Sequence, residues 1–429
     1  MKDNAARPQK AGNGYRVAVV GAGVVGLSCA LWLQKSGHSV TLFDPQMPDD
    51  KSAAMSACSF GNACTIALGA CLPIASPGIH WQVPGMLLDR KGPLSIYWRD
   101  LPLLTPWLLS FLKASGPAEY DRLTAVLGGL IRKAEDGHTS LFAETHSSDL
   151  IRKSGCLYLY SNENSFRAAR EGIELREREG VAQSILDARQ IREREPNLAP
   201  LYHRGLLFED AYYLDDPYTY VQRLLSAVRA RGGSFEPRKV SALRRQDDGL
   251  AIHSGEEQGT FDRVVIAAGA WSRELAGQIG DRVRLNTERG YHVLFDTEQP
   301  LLSGPTCYPE YGFYMTSLGE GLRSAGTVEL GGLGQPLRPT RTDAIEERTR
   351  SLLNGVGEVS RRWLGFRPST PDSLPVIGPS PRDGRVLYAF GHGHIGLTLA
   401  GLTGKLIAEC VDGRETSVDL SPMRPDRWG

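Results

Sequence analysis

RVAVVGAGVVGLSCALWLQKSGHSVTLFD, residues 16–44, reads as strand, tight turn, helix and second strand. VAVV is short, continuous and apolar, as in a parallel strand buried on both faces. The helix is expected over about residues 25–35, stopping at Gly37, and SVTLFD returns as the second strand. Between them GAGVVG sets Gly21, Gly23 and Gly26 at the spacing of a dinucleotide-binding turn, with Ala22, Val24 and Val25 as the intervening residues. Gly21 permits the tight turn, Gly23 lets backbone approach a pyrophosphate at the helix N-terminus, and Gly26 allows close packing of helix on strand. Asp44, followed by Pro45, closes the second strand as an acceptor for ribose hydroxyls, and it disfavours the extra phosphate of NADP. The motif by itself does not separate NAD from FAD.

Working outward, 429 residues accommodate roughly two to three domain-sized units. Lysine plus arginine balance aspartate plus glutamate at 49 each, so no whole-chain field for nucleic acid or another polyanion is expected. The seven cysteines include no CxxC pair, and no histidine cluster has metal-ligand spacing; reduced thiols in a cytoplasmic setting and no metal site follow as expectations. Residues 1–14 are polar, lack the apolar core of a signal peptide and read as a disordered lead-in. LPLLTPWLLSFL, residues 101–112, is too short for the about 20 residues that span a bilayer. It reads as a buried helix. The rival is a peripheral contact with a membrane surface such as the inner face of the cell membrane, aided by Trp98 and Trp107.

The βαβ rhythm lapses between residues 73 and 200, where arginine- and glutamate-rich helices such as SFRAAREGIELREREG accompany the strand-like GCLYLYS. It resumes with an amphipathic helix over residues 218–231, residues 233–240 ending at Val240, and the strand VVIAAGA, which reads as a member of the first parallel sheet. The expected fold is α/β: a discontinuous dinucleotide-binding domain (15–75, 205–282 and 360–429) with an inserted α+β substrate domain (76–204 and 283–359) on a mixed or antiparallel sheet.

Four further segments distinguish the cofactor. SACSFGNAC (56–64), containing Phe60, Gly61, Asn62 and Ala63, is a small-residue loop after the second strand. VVIAAGAWS (264–272) ends a strand in a small turn at Ala268, Gly269 and Trp271. TERGYHV spans 287–293. RWLGFRPSTPDSLPVIG (362–378) precedes YAFGHGHIGLTLAGLTGKLIAE (388–409). With these segments the chain, from about residue 15 onward, resembles the FAD-dependent D-amino acid dehydrogenases of the D-amino acid oxidase and glycine oxidase superfamily. Threonine in place of the first glycine of the TERGYH block is a mild departure. The resemblance implies a Rossmann-like domain binding FAD. It places the glycines of the opening turn, Asp44, the 56–64 loop, Val240, the 268–271 turn, Gly365, and Gly393, His394, Ile395, Gly396, Leu397 and Thr398 around the cofactor. No cysteine stands where flavin-tethering amine oxidases carry one, so the FAD is expected to be non-covalent.

The GHGHIG loop opens an apolar helix whose N-terminus suits an anionic reduced flavin ring. Arg367, stiffened by Pro368, Pro371 and Pro375, is a fixed bidentate donor for a substrate carboxylate; the resemblance implies the same role, with Tyr314 as a second carboxylate contact. Tyr291 and His292 are candidates for lining the pocket. His394, where glycine oxidase-like proteins carry a second arginine, could bind substrate or help take its proton. Most other pocket-lining side chains are expected from residues 73–200. The implied reaction is oxidation of a D-amino acid to its imino acid by hydride transfer to flavin N5, followed by hydrolysis to a 2-oxo acid and ammonia, with electrons passing to a quinone or partner protein. Alternatives are a glycine, sarcosine or cyclic imino-acid (D-proline or D-hydroxyproline) oxidase or dehydrogenase on the same scaffold, a NAD-dependent dehydrogenase, and a non-catalytic subunit of a larger complex.

Overall fold

In a computed structural model, which describes residues 14–89, 91–255 and 257–428, the strand Arg16–Val20 lies in the middle of a six-stranded sheet. Its residues Val17, Ala18 and Val19 have no exposed surface, as a strand covered on both faces requires. It pairs in parallel with Ser39–Phe43 on one side and with Arg263–Ile266 on the other, so partners more than two hundred residues apart share one register. Ser234–Glu236 extends one edge, and Val386–Phe390 with antiparallel Val376–Pro379 extends the other. Helix Val24–Lys35 packs beneath, so close at its start that a Cβ on Gly26 would sit 1.9 Å from the Gly21 carbonyl oxygen. Residue 26 must therefore be glycine. Helix Gly396–Val411 lies against it, almost entirely buried. The proposed lead-in falls outside the described residues, apart from Gly14.

A nine-stranded mixed sheet forms the second body, the cap. Next to its edge strand Val359–Ser369 runs the ten-residue strand Asn286–Phe295, antiparallel both to it and to Gly321–Leu330 on the other side. Phe313–Leu318, Thr306–Tyr308, Cys156–Tyr160, Arg204–Phe208 and Gln183–Leu186 continue it outward. The expected boundaries at 205 and 360 need correction at the level of sheet membership. Arg204–Phe208 and Val359–Ser369 both pair within the cap sheet, because each finds its hydrogen-bonding edge there.

The 101–112 segment also departs from expectation. Helix Leu101–Ala114 buries only Leu104, Trp107 and Ala114, while Leu103, Leu109 and Leu112 are exposed. The run is apolar on all sides, but a helix offers one stripe to a single neighbour, and here that stripe carries Trp107, whose indole N–H donates to the Ser369 carbonyl at 3.1 Å.

Inside the cap, the Arg289 and Glu329 side chains form an ion pair with no exposed surface. Glu329 also accepts from Tyr291 and Arg338, and Arg289 donates to the carbonyls of Gln335 and Pro336, fastening the turn after Gly321–Leu330. Removing one member strands a buried charge. Glu329→Leu should therefore lower the unfolding free energy by about 3–5 kcal/mol, with much of the loss recovered in Arg289→Met/Glu329→Leu, as chemical denaturation would measure.

Candidate functional site

A largely apolar cavity of 690 Å³ lies where the two sheets meet, within the range of about 300–1,000 Å³ common for ligand sites. On the side of the six-stranded sheet, Gly21, Gly23, Val24 and Val25 line it at the first turn, with Asp44 and Pro45 at the end of the second strand. Gly21 has φ of +110°, the left-handed backbone its tight turn needs. Asp44 Oδ2 accepts from the Ala22 amide at 2.8 Å and Oδ1 from the Gln46 amide at 2.9 Å. Burial raises the Asp44 pKa, and the two amides oppose that shift. Val240, Ala268, Gly269 and Trp271 complete this wall, the last three following directly on strand Arg263–Ile266.

The 56–64 loop forms a second wall, and it is held in place by the cap. Trp363 Nε1 donates to the Met55 carbonyl at 2.6 Å, His292 Nδ1 lies 3.1 Å from the Gly61 carbonyl, and Arg323 Nη1 donates to the carbonyls of Phe60 and Asn62 at 2.9 and 3.0 Å. Ser59 Oγ accepts from the Val24 amide at 2.9 Å, joining the loop to the helix start. Gly61, Asn62 and Ala63 line the cavity, whereas Phe60 turns away into a small apolar cluster with Ala54 and Trp363.

The third wall is the start of helix Gly396–Val411. Gly393, His394, Gly396 and Leu397 face the cavity; Ile395 is buried behind them, and Thr398 instead accepts from the Ala67 amide at 3.0 Å. Neither this helix nor Val24–Lys35 carries an acidic first turn or a side-chain cap, so both leave positive ends toward the cavity. Two uncapped helix starts, a carboxylate at the strand end and glycine-lined turns are the donor set a flavin dinucleotide needs. The residues present fit FAD.

The fourth wall is the cap sheet: Gly290, Gly312, Tyr314, Ala325, Gly326 and the run 363–368. Arg367 donates to the Thr327 carbonyl at 3.2 Å and forms no ion pair among the described residues. Its position depends on a bulge, since the register slips between Arg289 and Tyr291 and Thr327 adopts φ of +54° opposite. A Cβ on Gly290 would lie 2.5 Å from the guanidinium, so only glycine leaves it room. Tyr314 is hydrogen-bonded through its hydroxyl to Tyr158 behind it, and burial pushes its pKa up, keeping the phenol protonated. His394 is exposed to the cavity. Desolvation by the protein atoms around the ring, with the Arg367 charge acting the same way, lowers its pKa to about 4, so the ring is neutral at pH 7.

Arg367, Tyr314 and His394 thus meet at one cavity; Tyr291 and His292 do not. Tyr291 points to the opposite face and donates to Glu329, and His292 lies under the loop, stacked on Trp363 at 4.9 Å. None of the residues lining this cavity comes from 73–200; Tyr158 of that region stands directly behind Tyr314. Sequence reasoning missed Arg323 and Trp363. Their work is a long-range grip on backbone carbonyls, for which no local signal exists.

A family model described as DAO, FAD dependent oxidoreductase, matches residues 16–410. A D-amino-acid oxidase of Bradyrhizobium diazoefficiens is 34% identical, covering 97% of this chain and 99% of the relative. A D-amino acid dehydrogenase of Cereibacter sphaeroides is 30% identical over 96% of this chain and 95% of its own. Among solved structures, glycine oxidase from Geobacillus kaustophilus shares the fold with a TM-score of 0.72 at 22% identity, covering 97% of this chain and 99% of that one. The chain belongs to the FAD-dependent oxidoreductase family that this match defines, and FAD is its cofactor.

Proposed function

We propose that this enzyme oxidises a D-α-amino acid to its imino acid, which water converts to a 2-oxo acid and ammonia, and that its electrons pass to a quinone or another acceptor than oxygen. The observation that carries the reading is Arg367, a guanidinium without an ion-pair partner among the described residues, facing a largely apolar cavity beside a protonated phenol. Arg367 would bind the substrate carboxylate through two parallel hydrogen bonds, and Tyr314 would add a third. Anchored there, the substrate presents its α-carbon at a fixed place, and the apolar lining excludes water. Neutral His394 can accept a hydrogen bond from the amine, which must shed its extra proton before the α-hydrogen leaves. Bound FAD supplies the two-electron acceptor. The names of the two relatives support a D-amino acid; they divide over the acceptor, one an oxidase and one a dehydrogenase.

Anaerobic bleaching of the flavin by D-amino acids tests the substrate class. Glycine, sarcosine and D-proline derivatives run alongside, and reduction by these alone would transfer the assignment to the cyclic imino-acid or glycine class. In air the same turnover should release little hydrogen peroxide compared with reduction of a quinone analogue; rapid stoichiometric peroxide would make the enzyme an oxidase.

Replacing Arg367 by lysine keeps the charge but loses the planar fork. Hydrogen bonds to charged groups contribute about 1.5–3 kcal/mol, so KM for the amino acid should rise by roughly 10–100-fold while the bound flavin spectrum stays unchanged.

A surface contact with a membrane belongs to the same reading. Trp81 and Leu88 are 82% and 84% exposed on helix Ile79–Leu88, which buries none of its residues, and Trp98, Leu103 and Leu109 are exposed as well. Among the described residues no helix is long and apolar enough to cross a membrane, and the contact proposed is a peripheral one. The protein should co-sediment with lipid vesicles, and Trp81→Ser/Leu88→Ser/Leu109→Ser should release most of it; equal pelleting of both would dismiss the contact.

A further inference from the structure

Glu288 has had no part in the site so far. It is 5% exposed and stands on strand Asn286–Phe295 directly opposite Arg367 of the neighbouring strand. Opposed residues of an antiparallel pair project from the same face, so the acid and the guanidinium share one side of the sheet. Arg367 faces the large cavity, whereas Glu288 faces a second one of 10 Å³, about the size of a single water, together with Ser369, Thr370 and Phe111. His392, Gly393 and His394 wall both cavities. The guanidinium is held at the large cavity by the Thr327 carbonyl and by the space that Gly290 leaves.

We propose that Glu288, the cross-strand neighbour of Arg367 but not in an ion pair with it, is a positioning residue whose protonation is linked to the binding of a carboxylate at that guanidinium. The proposal rests on Arg367 being the substrate's carboxylate clamp. Burial raises the proton affinity of Glu288, and the Arg367 charge, then the Ser369 hydroxyl, lower it. A ligand carboxylate on Arg367 cancels much of that positive charge, so Glu288 takes up a proton from solvent. Linkage is reciprocal: the carboxylate binds tightest where Glu288 is already protonated, and its affinity falls as pH rises through the Glu288 ionisation.

The other groups around the pair are neutral or already paired. Desolvation lowers His392 and His394 to about 4, both therefore neutral, and raises the Cys58 thiol to about 11. Glu329, on the adjoining strand, is engaged by Arg289 and Arg338, and Asp372, just beyond Thr370, is paired with Arg427. Ile74 and Phe111, the contacts from the helical side, are apolar.

The test uses the full-length FAD-loaded enzyme and propanoate, a carboxylate without an amine, titrated from about pH 5.5 to 9 with the flavin absorption as readout. The wild-type Kd should rise by up to about tenfold per pH unit across the ionisation, and propanoate should draw up to one proton from a lightly buffered solution. Glu288→Gln should bind propanoate with a pH-independent Kd close to the wild-type acid limit and without proton uptake. A flat wild-type Kd with no proton uptake overturns the linkage, as does an unchanged pH dependence in the variant. If Glu288→Gln fails to fold, the wild-type proton count decides alone. Absence of any propanoate effect at every pH removes the carboxylate clamp itself, and the linkage with it, which separates that failure from the first.

Discussion

The grip of the cap sheet on residues 55–64 is the contact on which both halves of the site depend. Trp363, His292 and Arg323 arise from three adjacent strands, and each reaches a main-chain carbonyl of a loop that follows the second strand of the other sheet. The loop lacks regular structure long enough to hold itself, with only a single helical turn at Cys58–Gly61. The aromatic ring of Trp363 lies where a Cβ on Gly61 would be, at 2.4 Å, so the two surfaces meet with no room for a side chain. Since Ser59 in turn meets the amide of Val24, the cap is connected through this loop to the start of the first helix.

Electrostatics within the cavity follow from the same enclosure. Desolvation disfavours whichever form of a group is charged, so histidine is driven neutral and phenol stays protonated. Arginine keeps its charge in such a setting, because its intrinsic pKa is too high for burial to remove it. On the proposed reading, Arg367 beside the neutral His394 and Tyr314 suits a small carboxylate, and the uncapped helix starts supply further positive potential at fixed positions. Arg323 carries a second buried charge near the loop, but Glu320 already pairs with it.

The cap shows why residue spacing was an unequal guide. Arg367 and Tyr314 lie on strands and face the cavity, as did the turns at 21–23, 268–271 and 393–396. Tyr291 and His292 are neighbours of a cavity residue, Gly290, yet neither reaches it. Alternation sends Tyr291 to the far face, and His292 is covered by its cross-strand partner Trp363. The bulge at Gly290 and the left-handed Thr327 belong to the pairing of two strands thirty-odd residues apart, which neither strand reveals separately. Likewise, the apolar run at 101–112 records a preference for burial without recording how much of the helix finds a neighbour.

By itself the sequence determined the βαβ unit and its ligand-facing turn, because strand period, helix stop and glycine spacing are all local and act within one short stretch of chain. It also determined that an arginine stiffened by prolines would stand at residue 367. Only the tertiary structure decided which face each cap residue presents, that Phe60 turns into the protein while Gly61 lines the cavity, and that residues 73–200 supply none of the lining. Those outcomes depend on register and on contacts between distant segments, where one residue's shift exchanges inside for outside.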